Sequence, residues 1–456
     1  MELTLPEIVR WCDCRYVAPS LPTAEIAAVS TDSRTVQPND LFVALRGRSH
    51  DGHEFVRSAL TKAAAALVDE QWFQAAGRPT HLPLIVVSDT LVAYQTTAQH
   101  YRRKIDPTVA AITGSAGKTT CKELTYAVLS AKYQVLKNIK SFNNHVGVPA
   151  TLLQLNRTHR MLVAELGTSG FGEIARLSEL VEPDVCVLLN IGFAHLEFLH
   201  TREGVARAKM EIFTHAAQDA VAVYNADDDM LCRQRFPARR IVTFGIEQPA
   251  DLRAVIHDCD PDGCYTFGWE DQTVKLSIPG RHSVYNALAA AAVGKLFGVP
   301  SADITAALAT VTGAEHRLQV YQRQGVRVID DAYNANPGSC RAALQTLADM
   351  KPAAGGRRIA VLGDMLELGE SAVSEHEKLA DAAGALNLDA LFLLGRLTEH
   401  TARRATSMGL RTVFASTHED LWAALSEFVQ AGDLVLVKGS RSMRMETNVD
   451  NLLQRV

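Results

Sequence analysis

The sequence predicts an α/β protein of three domains. These are a small N-terminal α/β domain, a central P-loop ATPase domain on a parallel sheet with added antiparallel strands, and a C-terminal Rossmann-like domain. Three observations carry this. Short runs rich in Val, Ile and Leu alternate with helical stretches, as buried parallel strands do when helices cover both faces. One of these runs, "VAAITGSAGKTT" (109–120), ends in glycines, a lysine and two threonines. The alternation lapses over 253–280 and resumes after about 318, which separates two sheets.

In chain order, "DLFVALRG" (40–47) is a strand. "DGHEFVRSALTKAAAALVDE" (51–70) is a helix with Asp51 near its start, followed by a strand, and "PLIVVSD" (83–89) is another short strand. "HYRRKIDPT" (100–108) is polar and closes on Pro107, so it reads as a linker, and residues 1–106 form the first domain. The central domain, 107–317, contains the strands "TVAAITG", "RMLVAELG" and "DVCVLLNIG", each followed by a helix. "RAVIHDCDPDGCYTFGWEDQTVKLSIPG" (253–280) reads as antiparallel strands turning at Asp/Gly clusters. In "SVYNALAAAAVGKLFG", Ser283 is the expected N-cap and Gly298 the stop. Over 318–456 the strands are "VRVIDDAY", "RIAVLGDM", "DALFLLG", "RTVFAS" and "DLVLVKGS", with helices such as "SEHEKLADAAGAL" and "HEDLWAALSEFVQAG" between them.

Composition narrows the function. The 456 residues are 47% hydrophobic and 21% charged, as in ordinary globular chains, with a formal net charge of -5. Without a basic footprint, nucleic acid is not an expected partner. The start "MELTLPEIVRWCDC" lacks the pattern of a signal peptide, and no run reaches about 18 apolar residues, so no membrane span is expected. The eight cysteines are scattered and only Cys12 and Cys14 lie close together. Reduced thiols in a cytoplasmic protein are the expectation.

The loop carries the chemistry. Gly114 and Gly117 permit unusual backbone angles, so the N–H groups of Gly114, Ser115, Ala116 and Gly117 can converge on phosphate oxygens at a helix start. Lys118 can reach outer phosphates, the hydroxyl of Thr119 can join a magnesium ion, and Thr120 completes the motif. The common P-loop has glycine where this chain has Ile112. Glu165 ends the strand "RMLVAELG", and His195 follows the next strand in "NIGFAHLEF". Each alone is an ordinary cap or hydrogen-bonded residue. Three strand ends converging on one crevice make a nucleotide and metal site. On pattern alone Lys209, in "GVARAKMEIF", is a solvated helix lysine.

"TGSAGKTT", "AELGTSGFGEIARL", "NIGFAHLEFL", "AKMEIF", "NALAAAA", "EHRLQ", "DDAYNANPGS" and "LVKGSRSMRME" follow one another in order. Together they resemble the Mur ligases, ATP-dependent amide ligases of peptidoglycan precursor synthesis, over essentially the whole chain. The family has the short form of the loop, so Ile112 ceases to be a defect. The resemblance implies that the first domain holds the UDP end of a sugar-peptide, the second holds ATP, and the third brings the incoming amine. "DDAYNANPGS", "VLGDMLELG" and "STDSRTVQPNDLFVALRG" imply UDP-N-acetylmuramoyl-tripeptide and D-alanyl-D-alanine as substrates. Residue roles follow by matching motifs. Lys118 would hold ATP phosphates, Thr119 and Glu165 one magnesium, and His195 a second. Lys209 matches a lysine that the family carbamylates, which would make it an anion able to bind metal and reverses its solvated reading. Asn286 would approach the adenine, and Arg317 and Asp331 the phosphate and ribose. Asn334 and Asn336 would line the dipeptide pocket. Ser33 and Arg34 would lie near the uridine diphosphate, and Asn143 and Asn144 near the muramoyl-peptide and γ-phosphate. A monomer is expected.

The nearest rival, the ligase adding the third amino acid, usually carries a D-N-P-R-like segment where this chain reads "NANPGS". Folylpolyglutamate synthetase is a further relative, but "STDSR" argues for a UDP-linked substrate. A nucleotide-driven switch would need neither Glu165 with His195 nor two flanking domains.

Overall fold

The computed structural model describes residues 1–18, 22, 25–47 and 50–454. The first domain is a five-stranded sheet in the order Arg15–Tyr16, Leu84–Val87, Ala65–Asp69, Leu41–Val43, Val29–Ser30. All its pairings are parallel except that of the first edge strand. Asp51 caps a 3-10 turn, Gly52–Phe55, which leads into the short helix Val56–Ala59. The expected linker "HYRRKIDPT" is a correction. Its first six residues are the last turns of the helix Thr90–Ile105. Tyr101 is wholly buried and donates to Leu155 O at 2.9 Å, and Arg102 is 6% exposed, so tertiary contacts keep this polar run helical. The helix stops at Asp106, which adopts φ +53 before Pro107.

The central sheet has seven parallel strands in the order Leu252–Arg253, Arg240–Gly245, Val221–Asn225, Val185–Leu188, Thr108–Thr113, Met161–Glu165, Val135–Lys137. Thr108–Thr113 is first in sequence yet lies inside the sheet. Later strands were added on one side and then the other, so its C-terminal end opens at the switch point where α/β sheets bind ligands. Ile112 is buried in this strand, paired with Glu165 and Val187, which is why an apolar residue belongs there. The segment 255–279 forms three antiparallel strands.

The C-terminal domain is a six-stranded sheet in the order Gln319–Arg323, Val326–Asp331, Leu434–Lys438, Arg358–Gly363, Ala390–Leu394, Thr412–Ala415. Only the first edge strand is antiparallel. This largely exposed edge, absent from the sequence reading, has no continuous apolar run.

Two helices set the site. Lys118–Ser130 leaves the loop, and Arg281–Leu296 packs along it. The second helix presents Ala287, Ala289, Ala290, Ala291 and Ala292, all essentially buried. Its N-cap is Gly280, at φ +90, rather than Ser283. Ser283 lies within the first turn and its hydroxyl donates back to Pro279 O at 2.8 Å. Gly298, at φ +66, ends the segment as expected. At Gly294 the helices approach so closely that a Cβ would lie 2.4 Å from Val128 Cγ1. Gly294→Val should therefore lower the thermal unfolding midpoint, through an overpacking cost of about 1–3 kcal/mol. An unchanged midpoint in a melting scan would contradict this packing.

Candidate active site

A cleft of about 700 Å³ opens at the switch point between the central and C-terminal domains. The central domain contributes the loop Ser115–Lys118, Asn143, Asn144, Glu165, His195, Asn286 and, at its end, Arg317; the C-terminal domain contributes Asp331, Asn334, Asn336 and Lys438. Ser33 and Arg34 are not among its walls. Arg34 is exposed and forked onto Asp32, at 2.9 and 2.7 Å.

The loop is shaped by its neighbours. Gly117 adopts φ +83, and a Cβ there would meet Asn286 Oδ1 at 2.5 Å, so only glycine fits beneath that side chain. Asn190, at the next strand end, brackets Ala116. Its Oδ1 accepts from Ala116 N at 2.9 Å and its Nδ2 donates to Ala116 O at 3.1 Å. Ser115 Oγ accepts from Gly192 N at 2.9 Å. Lys118 Nζ donates to Gly114 O at 2.8 Å, folded back along the loop. Burial draws its pKa below the usual lysine value and Arg317 adds to this, while Glu165 opposes it.

Glu165 is 1% exposed and its carboxylate is fully engaged. Thr119 Oγ1 lies 3.1 and 2.9 Å from its two oxygens, and Asn143 Nδ2 donates to Oε1 at 2.7 Å. Hydroxyl and carboxylate oxygens held together are the hard donors magnesium prefers, alongside phosphate and water. His195, expected at a second magnesium rather than beside Glu165, lies on the cleft wall. It adopts φ +54 and its Nδ1 lies 2.6 Å from Glu367 Oε2 of the C-terminal domain. That contact draws the pKa of Glu367 down, against burial. Among the described residues no group of three or more His, Cys, Asp or Glu is poised to hold a metal. Thr119 with Glu165 thus fits a magnesium ion that phosphate would complete; His195 brings one further nitrogen to the rim.

Lys209 is 2% exposed, which corrects the solvated reading. Burial pushes its pKa well below the usual lysine value, and the charge of Lys118 pushes it further. Glu211, two residues on, accepts from Gly172 N at 2.8 Å and Ala175 N at 3.2 Å. It thereby ties the Lys209 segment to the start of the helix that follows Glu165. Asn144 Oδ1 accepts from Val146 N and Gly147 N, so it braces its own loop while lining the cleft.

On the C-terminal side, Asp331 Oδ2 lies 2.5 Å from Lys438 Nζ, which also donates to Asn334 O at 2.9 Å. Asn336 caps the helix Pro337–Asp349 and donates to Ser115 O of the loop at 3.3 Å. Arg317 sits 4.2 Å above the Tyr333 ring, and the Tyr333 hydroxyl meets Ser141. Lys438, Tyr333, Asn190 and Glu367 were not singled out from sequence. Lys438 ends a parallel strand, so the rule that drew attention to Glu165 could have found it. Asn190 likewise follows a parallel strand end; Tyr333 and Glu367 take their meaning from contacts between domains.

A P-loop at a switch point, a buried carboxylate on its threonine and a second α/β domain closing over both define a nucleotide-dependent enzyme of the P-loop class. Models of the Mur ligase family match three stretches: the catalytic domain at 25–101, the middle domain at 112–294 and the glutamate ligase domain at 316–441. The chain is 34% identical to the UDP-N-acetylmuramoyl-tripeptide--D-alanyl-D-alanine ligase of Bacillus subtilis (strain 168), covering 100% of this chain and 99% of that one. MurF from Acinetobacter baumannii superposes with a TM-score of 0.90 at 33% identity, over 99% of this chain and 98% of the other. The MurF ligase from Thermotoga maritima in complex with ADP does so with a TM-score of 0.80 at 30% identity, over 94% and 97%. This chain belongs to the Mur ligase family.

Gly117→Ala should weaken ADP binding by at least about tenfold, since the new methyl must displace Asn286 and strain the backbone. Titration calorimetry would expose the error if the affinity held within twofold of wild type.

Proposed function

We propose that this chain joins D-alanyl-D-alanine to UDP-N-acetylmuramoyl-tripeptide at the expense of ATP. The product is the UDP-linked pentapeptide used in peptidoglycan synthesis. The observation that carries this is the cleft itself: a phosphate loop and a buried carboxylate on one wall, amide and cationic groups of a second domain on the other, in a chain whose full length matches ligases of that name.

A carboxylate does not accept an amine directly, because oxide would have to leave. Transfer of the γ-phosphoryl group of ATP to the tripeptide's terminal carboxylate gives an acyl phosphate and ADP. The amine of the dipeptide then attacks the carbonyl carbon, phosphate leaves from the tetrahedral intermediate, and the amine's surplus proton passes to solvent or a nearby base. Lys118 and the N–H groups of the loop hold the phosphates. Magnesium, bound by Thr119 and Glu165 with phosphate oxygens, would offset the repulsion between carboxylate and phosphate. His195 stands where a second ion could take its ring nitrogen. Arg317 and Asp331 would meet phosphate and ribose, and Asn286 the adenine. Asn143 and Asn144 would face the muramoyl-peptide, and Asn334 and Asn336 the dipeptide. Water would destroy the acyl phosphate, so the C-terminal domain closes over it. Residues 1–106 would hold the UDP end, with Ser33 and Arg34 on that path, 107–317 the ATP and 318–456 the dipeptide.

Lys209 is set up to become a carbamate. A neutral amine reacts with CO2, losing a proton, to give an anion; burial beside Lys118 favours the neutral amine and then pairs the anion with a cation. A monomer is part of this reading, and ATP and UDP-linked substrates are those of a cytoplasmic enzyme. No described helix is long and apolar enough to cross a membrane.

The decisive assay offers ATP, each UDP-tripeptide and either D-alanyl-D-alanine or single amino acids. Dipeptide-dependent pentapeptide and phosphate are expected; joining of a single amino acid but no dipeptide would refute the assignment. Lys209→Ala should lose activity by about 10²-fold and regain part of it with small carboxylates added. Full activity without rescue would refute the carbamate.

A further inference from the structure

One turn beyond Lys118, the same helix carries a second lysine that the mechanism does not use. Lys122 has no exposed surface and is not a wall of the cleft, so it does not reach a bound phosphate. Its ammonium donates to Asn138 O at 3.0 Å and to Lys140 O, and stands 3.8 Å from Glu165 Oε2 and 3.3 Å from Glu123 Oε1. A wholly buried cation is costly unless paired and hydrogen-bonded. Here both conditions are met by the segment 138–144 and the carboxylate beside it.

That segment is built without slack. Asn138 Oδ1 accepts from Glu165 N at 2.6 Å and its Nδ2 donates to Phe142 O at 2.8 Å. Asn143 O accepts from Gly167 N at 2.9 Å, and a Cβ on Gly167 would lie 2.6 Å from Asn143 Oδ1. Its far side presents Ser141, Asn143 and Asn144 to the cleft, and Ser141 meets Tyr333 of the C-terminal domain.

We propose that Lys122 is a positioning residue, the internal brace that registers the loop 138–144 to the phosphate-binding helix and so places Asn143 and Asn144 for the carboxyl-bearing substrate. This rests on the reading of that loop as a wall of the UDP-tripeptide site. Lys122 fixes the spacing between the wall that holds the acceptor and the helix that holds the donor. Lys122 makes no side-chain hydrogen bond to Gly114–Thr119 or Asn286, the residues read as holding ADP; its donors go to Asn138 O and Lys140 O.

The test uses the full-length enzyme with Lys122→Met, which keeps length and loses charge and donors, and Lys122→Arg, which keeps both. Expected for Lys122→Met are ADP affinity within about twofold of wild type, a KM for UDP-tripeptide raised about tenfold or more, and faster amide exchange in 139–144. Lys122→Arg should restore that KM to within about threefold of wild type. An unchanged tripeptide KM, or ADP affinity and tripeptide KM weakened together, would overturn the proposal. If Lys122→Met does not fold, Lys122→Gln is held to the same criteria. Wild-type enzyme is the control on the ligase reading: if it makes no pentapeptide, that reading fails, whereas an active wild type with an indifferent Lys122 variant overturns the brace alone.

Discussion

Glu165 is a carboxylate almost wholly buried beside the phosphate loop, and the architecture around it answers the cost of that burial. An uncompensated carboxylate would take up a proton or force its strand end open. Here Thr119 comes from the phosphate-binding helix, Asn143 from the loop after the edge strand, and Lys122 from the next helical turn. Two segments distant in sequence, the helix Lys118–Ser130 and the loop 138–144, are thus tied to one group, and their mutual spacing is fixed by the contacts that compensate its burial. The same tie sets the spacing between the substrate-facing wall and the phosphate-binding helix.

A second constraint acts across the domains. The C-terminal domain touches the central one at the loop, through Asn336 and Ser115, and at the rim, through Glu367 and His195. It also grips the antiparallel hairpin behind the cleft, where Arg327 Nη1 lies 2.6 Å from Asp262 Oδ1 and Tyr265 donates to Asp349 at 2.7 Å. Contacts on both sides of the cleft define one seating for the domain. The residues at the front of that seating are those the sequence motifs mark for the nucleotide and dipeptide.

Much of this was legible in the sequence. Buried parallel strands carry their own apolar signature, so "TVAAITG", "RMLVAELG", "DVCVLLNIG" and "DLVLVKGS" gave the two large sheets, and the strand-end rule led to Glu165. What escaped detection depended on tertiary burial. "HYRRKIDPT" is polar by composition and helical because Tyr101 and Arg102 are packed. Ser283 has the chemistry of a cap, but the chain enters its helix three residues earlier, at a glycine. Lys209 and Lys122 have the pattern of surface lysines, and no periodicity reveals that a helix face is covered by a neighbouring loop. The motif resemblance recovered Lys209; nothing in the sequence marked Lys122. Ser33 and Arg34, singled out by motif, lie away from the cleft that gathers the others.

The alanine-lined helix beside the loop has a thermodynamic consequence. Alanine has no side-chain rotamers to freeze, so the helix Arg281–Leu296 orders its five buried alanines at almost no side-chain entropy cost. A leucine-rich seam would bury more area, but its side chains could exchange rotamers and let the helix shift against its neighbour. With Gly294 against Val128 at one end and Asn286 over Gly117 at the other, the two helices are held in close approach at both ends. The spacing of the phosphate loop from this helix is thus set by backbone approach at two glycines rather than by long side chains.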